Sequence, residues 1–209
     1  MQYASQQTRT VEMHANPTHT PTPSALLIID MQQGIQGVTK PRNNPNAETC
    51  IAELLAYWRS QVLPCVHIRH VSRQADSVFA PGQPGVCFQA ALAPLPTEPV
   101  FEKNVTDAFI HSGLERWLHA RNIRRVIIVG VASENSVEAT ARSASNLGFQ
   151  TQVVADACYT FDKLDFNGHV RSAEDVHAMA MANLRDEYAD VITSKTLLAQ
   201  WMGELTPIR

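Results

Sequence analysis

The 209-residue sequence predicts an α/β fold, a three-layer sandwich with a mostly parallel sheet of about six strands covered by helices on both faces. Three observations carry this. Short, continuous apolar runs recur along the chain, as expected of strands buried on both faces. Segments with helical spacing lie between them, and the two textures alternate almost to the end.

Taken in order, residues 1–23 (MQYASQQTRTVEMHANPTHTPTP) are rich in Thr, Gln and Pro without apolar periodicity, and read as an extended arm before a single domain over 24–209. SALLIIDMQ opens the domain as a buried strand ended by a carboxylate. Apolar positions Ile51, Leu54, Leu55 and Trp58 make Ala47 to Gln61 a helix. LPCVHIRHV (63–71) and PVFEK (99–103) are strands. Between them, Ser72 to Pro99 holds five prolines and forms a long connection suited to covering a site. Ser112-Gly-Leu-Glu115 has capping-box spacing ahead of Trp117 and Leu118. RRVIIVGV (124–131), FQTQVVADA (149–157) and ADVIT (189–193) complete the strands, and Ser172-Ala-Glu-Asp175 opens a helix running to about Tyr188.

Composition narrows the function. With 44% hydrophobic and 18% charged residues, the chain can bury a sizeable core. A net charge of −3 and no Lys/Arg-rich block exclude a phosphate-backbone footprint, so nucleic acid is not an expected partner. No apolar stretch approaches the roughly 20 residues of a membrane span, and residues 1–23 lack a signal-peptide core, so the expected location is cytoplasmic. Cys50, Cys65, Cys87 and Cys158 are widely spaced, and read as reduced, mostly packed small apolar residues.

In open parallel sheets the binding crevice lies at the carboxyl ends of the strands. Three reactive side chains fall there: Asp30 after LLII, Lys103 at the end of PVFEK, and Ser136 just beyond IIVGV in the turn entering the next helix. Singly, each has a plain alternative: a cap, a surface lysine, and a first-turn residue behind the cap-like Asn135-Ser-Val-Glu138. Jointly they favour one site. Asp156 reads as a structural acceptor, His67 and His70 as packed or rim histidines, and His177 as half-exposed on its helix.

LLIIDMQ, EKNVTDAF, and GVASENSVEATARSASNLGF followed by VVADA together resemble the isochorismatase-like, or cysteine hydrolase, superfamily over roughly residues 24–200. The resemblance implies a Rossmann-like sheet and an Asp–Lys–Cys set that attacks small amides, ureides or nicotinamide-like substrates, mapping onto Asp30, Lys103 and Ser136. It also implies a cis peptide at Val131-Ala132, with the Ala132 and Ser136 N–H groups as oxyanion donors. The Asp-x-His motif of metal-binding relatives is missing from HIRHVSRQADS, so neither metal nor cofactor is expected.

A serine hydroxyl is a far weaker acid than a thiol, and Asp30, held below its ordinary pKa by Lys103, would be a feeble base. Three readings follow: amide or ureide hydrolysis with Ser136 as nucleophile or water-orienting donor; vinyl-ether hydrolysis of the isochorismatase type by Asp30 without a nucleophile; or a silent binding or assembly protein. A neutral amide calls for lining such as Gln33, Phe79, Phe109, Tyr159 and Phe161. A dicarboxylate calls for cations such as Arg69, Arg73 or Arg142. The resemblance further implies a homo-oligomer, to which the arm and the apolar TLLAQWM stretch would contribute.

Overall fold

The computed structural model describes residues 22–205. The expected arm therefore lies, up to residue 21, outside the described residues. Six strands form one wholly parallel sheet: β1 (Ser24–Ile29), β2 (Cys65–His70), β3 (Val100–Lys103), β4 (Arg125–Val131), β5 (Gln150–Tyr159) and a short final strand, Asp190–Ile192. Two further two-residue strands, β6 (Lys163–Leu164) and β7 (Val170–Arg171), pair as a separate antiparallel hairpin, so the final sheet strand is β8. The order across the sheet is β3-β2-β1-β4-β5-β8, so all six runs read from the sequence pair in one sheet.

Burial explains why those runs were legible. All six residues of β1 are buried, with Leu26 and Ile28 facing one core and Ala25, Leu27 and Ile29 the other. On the first face lie α2 (Ala47–Ser60) and α6 (Ser194–Leu205). On the second lie α3 (Leu114–Ala120), α4 (Glu138–Asn146) and α5 (Ala173–Leu184). A single turn, α1 (Gln33–Gln36), follows β1. The result is helix–sheet–helix layering with apolar contact on both sides of the sheet.

Local predictions fared unevenly. Ser172 caps α5, its Oγ accepting the Asp175 N–H at 3.1 Å. The helix stops at Leu184 rather than near Tyr188, because Arg185 turns to extended geometry and the Leu184 carbonyl takes the N–H groups of Tyr188 and Ala189. Before α3, left-handed Gly113 is the cap; Ser112 Oγ instead donates to the Ala108 carbonyl and accepts the Leu114 N–H. Asp156 is structural, accepting both the N–H and the hydroxyl of Ser194 at the start of α6. Within the TLLAQWM stretch Leu197 and Trp201 are buried in the chain's own core, Trp201 with its ring 4.7 Å from that of Trp58, while Met202 is exposed. All four cysteines are unpaired; Cys65 and Cys158 are buried, with thiols pushed up to about 12 by desolvation.

Candidate functional site

β1 sits centrally, the chain leaves it toward β2 on one side while β4 lies on the other, and the carboxyl ends of β1 and β4 mark the place where parallel sheets build their sites. Asp30 is the first residue past β1. It adopts left-handed geometry (φ 53°), which Asp tolerates better than most residues, donating its N–H to Ile68 and receiving that of Gln32. Lys103 closes β3, two strands away, and its side chain reaches over the end of β2 toward Asp30.

Ser136 arrives from the other side. β4 ends in Gly130-Val131, followed by a cis peptide at Val131-Ala132. Gly130 has φ 124°, and a Cβ there would lie 2.2 Å from the Ile29 carbonyl oxygen, so only glycine lets β4 close on β1 at this level. The chain then makes a wide π-type turn, Ser133–Val137, in which the Ala132 carbonyl accepts the N–H groups of both Asn135 and Val137. Asn135 lies inside this turn, and α4 starts without a side-chain cap, so the cap-like spacing at 135–138 has no such role.

These three side chains meet. Lys103 Nζ donates to Asp30 Oδ2 at 2.6 Å, to Ser136 Oγ at 3.0 Å and to the Val105 carbonyl at 3.3 Å. An ammonium has three N–H donors, and all three are engaged. Asp30 and Ser136 are each 7% exposed and Lys103 3%, so the cluster sits below the surface with a narrow open edge. Asp30 Oδ1 is buried without a hydrogen-bond partner.

The electrostatics correct one expectation. Burial raises the Asp30 carboxyl above its ordinary value, and the opposing pull of Lys103, then of the Ser136 hydroxyl and His70, does not cancel it. Lys103 was expected to win; at this depth desolvation outweighs it.

Gln32, which the sequence did not single out, braces the Asp30 segment. Fully buried, it donates to the carbonyls of His70 (2.9 Å) and Val86 (3.0 Å) and accepts the His70 N–H (2.7 Å), tying the β1 exit to β2 and the 72–99 connection. Gln89 adds a hydrogen bond to the Gln32 carbonyl. Burial lowers the His70 imidazole, partly offset by Asp30, and its ring meets Phe79 edge-on at 5.9 Å.

The other proposed lining residues scatter. Gln33 opens α1 and reaches the Phe88 carbonyl at 3.4 Å. Phe109 stacks on Phe149 on the α3–α5 side, whereas Tyr159 and Phe161 pack together on the α2–α6 side, with the Arg42 guanidinium 3.7 Å above the Tyr159 ring. The sheet therefore separates Phe109 from the other two. Among the cations, Arg69 pairs with Glu102, and Arg142 with Glu138 beneath Tyr188. Arg73 bonds Asn104 and lines, with Lys103 and His111, a cleft of about 290 Å³. His177 is not half-exposed but buried, its Nδ1 2.7 Å from Ser133 Oγ. Among the described residues, no three His, Cys, Asp or Glu side chains converge as a metal site.

A layered α/β sheet with an acid–ammonium–hydroxyl cluster at its carboxyl edge defines an enzyme-like class of fold and site. Comparison with known proteins fixes the family. Residues 24–196 match the isochorismatase domain model, and the chain belongs to the isochorismatase family, whose members are hydrolases. It is 32% identical over 175 residues to the isochorismatase family protein YrdC of Bacillus subtilis, covering 83% of this chain and 94% of that one. It is 27% identical to maleamate amidohydrolase of Pseudomonas putida, covering 84% and 85% of the two. A crystal structure of an isochorismatase-family protein from Chromobacterium violaceum superposes with a TM-score of 0.85 at 44% identity, covering 91% of this chain and all of the other. Among the described residues, no helix is long and apolar enough to cross a membrane.

Proposed function

We propose that this hydrolase cleaves the C–N bond of a small amide or ureide at Asp30, Lys103 and Ser136, with Ser136 standing where cysteine hydrolases of the family carry their thiol. The observation that carries this reading is the buried Lys103 ammonium donating at once to Asp30 Oδ2 and Ser136 Oγ. An ammonium so placed stabilises negative charge developing on the hydroxyl oxygen. Asp30, raised by burial, is a stronger base than an ordinary carboxylate, and its unpartnered Oδ1 has lone pairs free to take a proton.

The step then balances. Ser136 Oγ forms a bond to the substrate carbonyl carbon while its proton passes to Asp30. The carbonyl π electrons move onto oxygen, to which the Ala132 and Ser136 N–H groups donate hydrogen bonds. Collapse breaks the C–N bond as Asp30 returns the proton to the leaving nitrogen. Water, losing a proton to Asp30, bonds to the acyl carbon; the ester C–O bond then breaks, and Asp30 returns that proton to Ser136 Oγ, regenerating the hydroxyl and releasing the carboxylic acid. Similarity to an enzyme named maleamate amidohydrolase supports the amide class.

The same raised Asp30 favours a second reading, in which its acid form protonates a vinyl-ether carbon and water captures the cation. Intact-mass measurement during turnover of an amide and ureide panel, with isochorismate alongside, separates them. The first reading expects an acyl adduct that Ser136→Ala abolishes together with turnover. Undiminished turnover by Ser136→Ala overturns it in favour of Asp30 chemistry. Activity on neither class at high enzyme concentration points to a binding protein.

A further inference from the structure

The turn Ser133–Val137 holds Ser136 against Lys103, yet no side chain caps it from within. A long-range contact comes from α5, 44 residues away, where His177 Nδ1 lies 2.7 Å from Ser133 Oγ. Ser133 is fully buried and His177 7% exposed, so this is an interior hydrogen bond, three residues before Ser136 in the same turn. We propose that His177 is a positioning residue: by fixing Ser133 Oγ it sets where the turn holds Ser136 Oγ relative to the Lys103 ammonium. The inference rests on the reading of Ser136 as the attacking residue and adds the device that aims it.

The chemistry of the pair fits this role. Burial lowers the His177 imidazole, an effect only partly offset by the carboxylates of Glu174 and Glu134, and Lys163 pairs with Glu134 at 3.1 Å. A neutral ring pairs with the Ser133 hydroxyl at Nδ1 in either tautomer, accepting its proton when Nε2 is protonated and donating to Oγ when Nδ1 is, so the contact holds the hydroxyl in one place. An apolar residue could fill the same space but would leave the hydroxyl unpaired and free to rotate. His177 also lies on the buried stripe of α5 with Ala173, Ala180, Met181 and Leu184, where a histidine needs a specific interior partner.

A substrate-independent test uses the thiol introduced by Ser136→Cys as a probe of its distance from Lys103. Alkylation by iodoacetamide is followed against pH, with peptide-level mass spectrometry, in a Cys87→Ser background that removes the exposed native thiol. In this parent, the thiol should titrate below the ordinary value of about 8.5. Adding His177→Ala or Ser133→Ala should raise the apparent pKa by about one pH unit, with no further rise when both are combined, because both remove one interaction. His177→Asn, which keeps a hydrogen-bond acceptor, should stay close to the parent. Unmoved titration in folded His177→Ala and Ser133→Ala proteins overturns the proposal, as do rises that add. If His177→Ala does not fold, Ser133→Ala decides, since it removes a single oxygen. A parent thiol that is not lowered at all overturns the underlying role of Lys103, a result distinct from failure of the His177 contact.

Discussion

Asp30 and Lys103 sit together in the interior, each offsetting part of the cost of burying the other, and the part left over separates the behaviour of nearby substitutions. In Asp30→Asn, Lys103 keeps neutral acceptors but loses its counter-charge, while the desolvation of the buried carboxylate, the larger effect on Asp30, is relieved, so stability in urea denaturation at pH 7 should not fall. Ser136→Ala removes one neutral acceptor and should cost about 1 kcal/mol. Both should lower turnover at least about a hundredfold, Asp30→Asn as the lost base and Ser136→Ala as the lost nucleophile. A larger loss in Asp30→Asn than in Ser136→Ala would mean that the counter-charge outweighs the desolvation of the carboxylate. Gly130→Ala acts on backbone alone: with φ 124° and a Cβ 2.2 Å from the Ile29 oxygen, it must push β4 from β1. A loss of roughly 3 kcal/mol or more, or failure to fold, is expected by the same titration.

Elements were legible where one physical rule dominated. The central strands announced themselves, because burial on both faces demands an unbroken apolar run, as Leu26 to Ile29 show, whereas the edge strands β3 and β8 are mostly exposed or half-buried and rested on shorter runs. The β6–β7 hairpin gave no such sign, its two-residue strands being fully exposed. Asp30, Lys103 and Ser136 could be placed at one rim from strand ends and the family resemblance. Gln32 escaped notice because its neighbour Gln33 reads identically, and only the turn at Asp30 decides which one points inward. His177 is buried against its polarity, because it lies on the apolar stripe of α5 with Ala173, Ala180 and Leu184, and a polar side chain in the sequence does not by itself reveal an interior partner. The Gln32 clasp carries its own prediction. Gln32→Ala leaves the His70 N–H and the His70 and Val86 carbonyls without this partner. A loss of about 2–4 kcal/mol should follow, with faster limited proteolysis within 72–99 than elsewhere.

Across the whole molecule, buried ionisable groups set an acid limit in two stages. Burial lowers the imidazoles of His67, His70 and His177, with partial opposition from Glu98, from Asp30, and from Glu174 with Glu134, respectively. A histidine lowered in the folded state contributes fully above its unfolded value of about 6.5 and progressively less as pH falls below it, because the unfolded chain binds the proton more readily. Asp30 runs the other way: raised on folding, its charged form costs stability at neutral pH, and protonation relieves that cost in acid. Glu98 supplies the second stage. Burial would raise it, but hydrogen bonds from Arg59 and the Leu95 N–H, with the charges of Arg59 and His67, hold it at about 2. Its contribution is therefore present above about 4.5 and lost as pH falls toward 2, amounting to about 2 kcal/mol once solvent screening on the partly open Arg59 side is allowed for. Unfolding free energy from urea titrations should accordingly be flat from about pH 7 to about 8, decline as pH falls from about 6.5, and decline again below about 4.5, while above about 8.5 the raised Cys65 and Cys158 thiols make it fall. Glu98→Gln should shrink the lower step, leaving the smaller contribution of carboxylates such as Glu48, lowered by Arg42, and keep the upper one in place. A single acid transition unchanged by that substitution would show that the Arg59–Glu98–His67 network does not couple to folding.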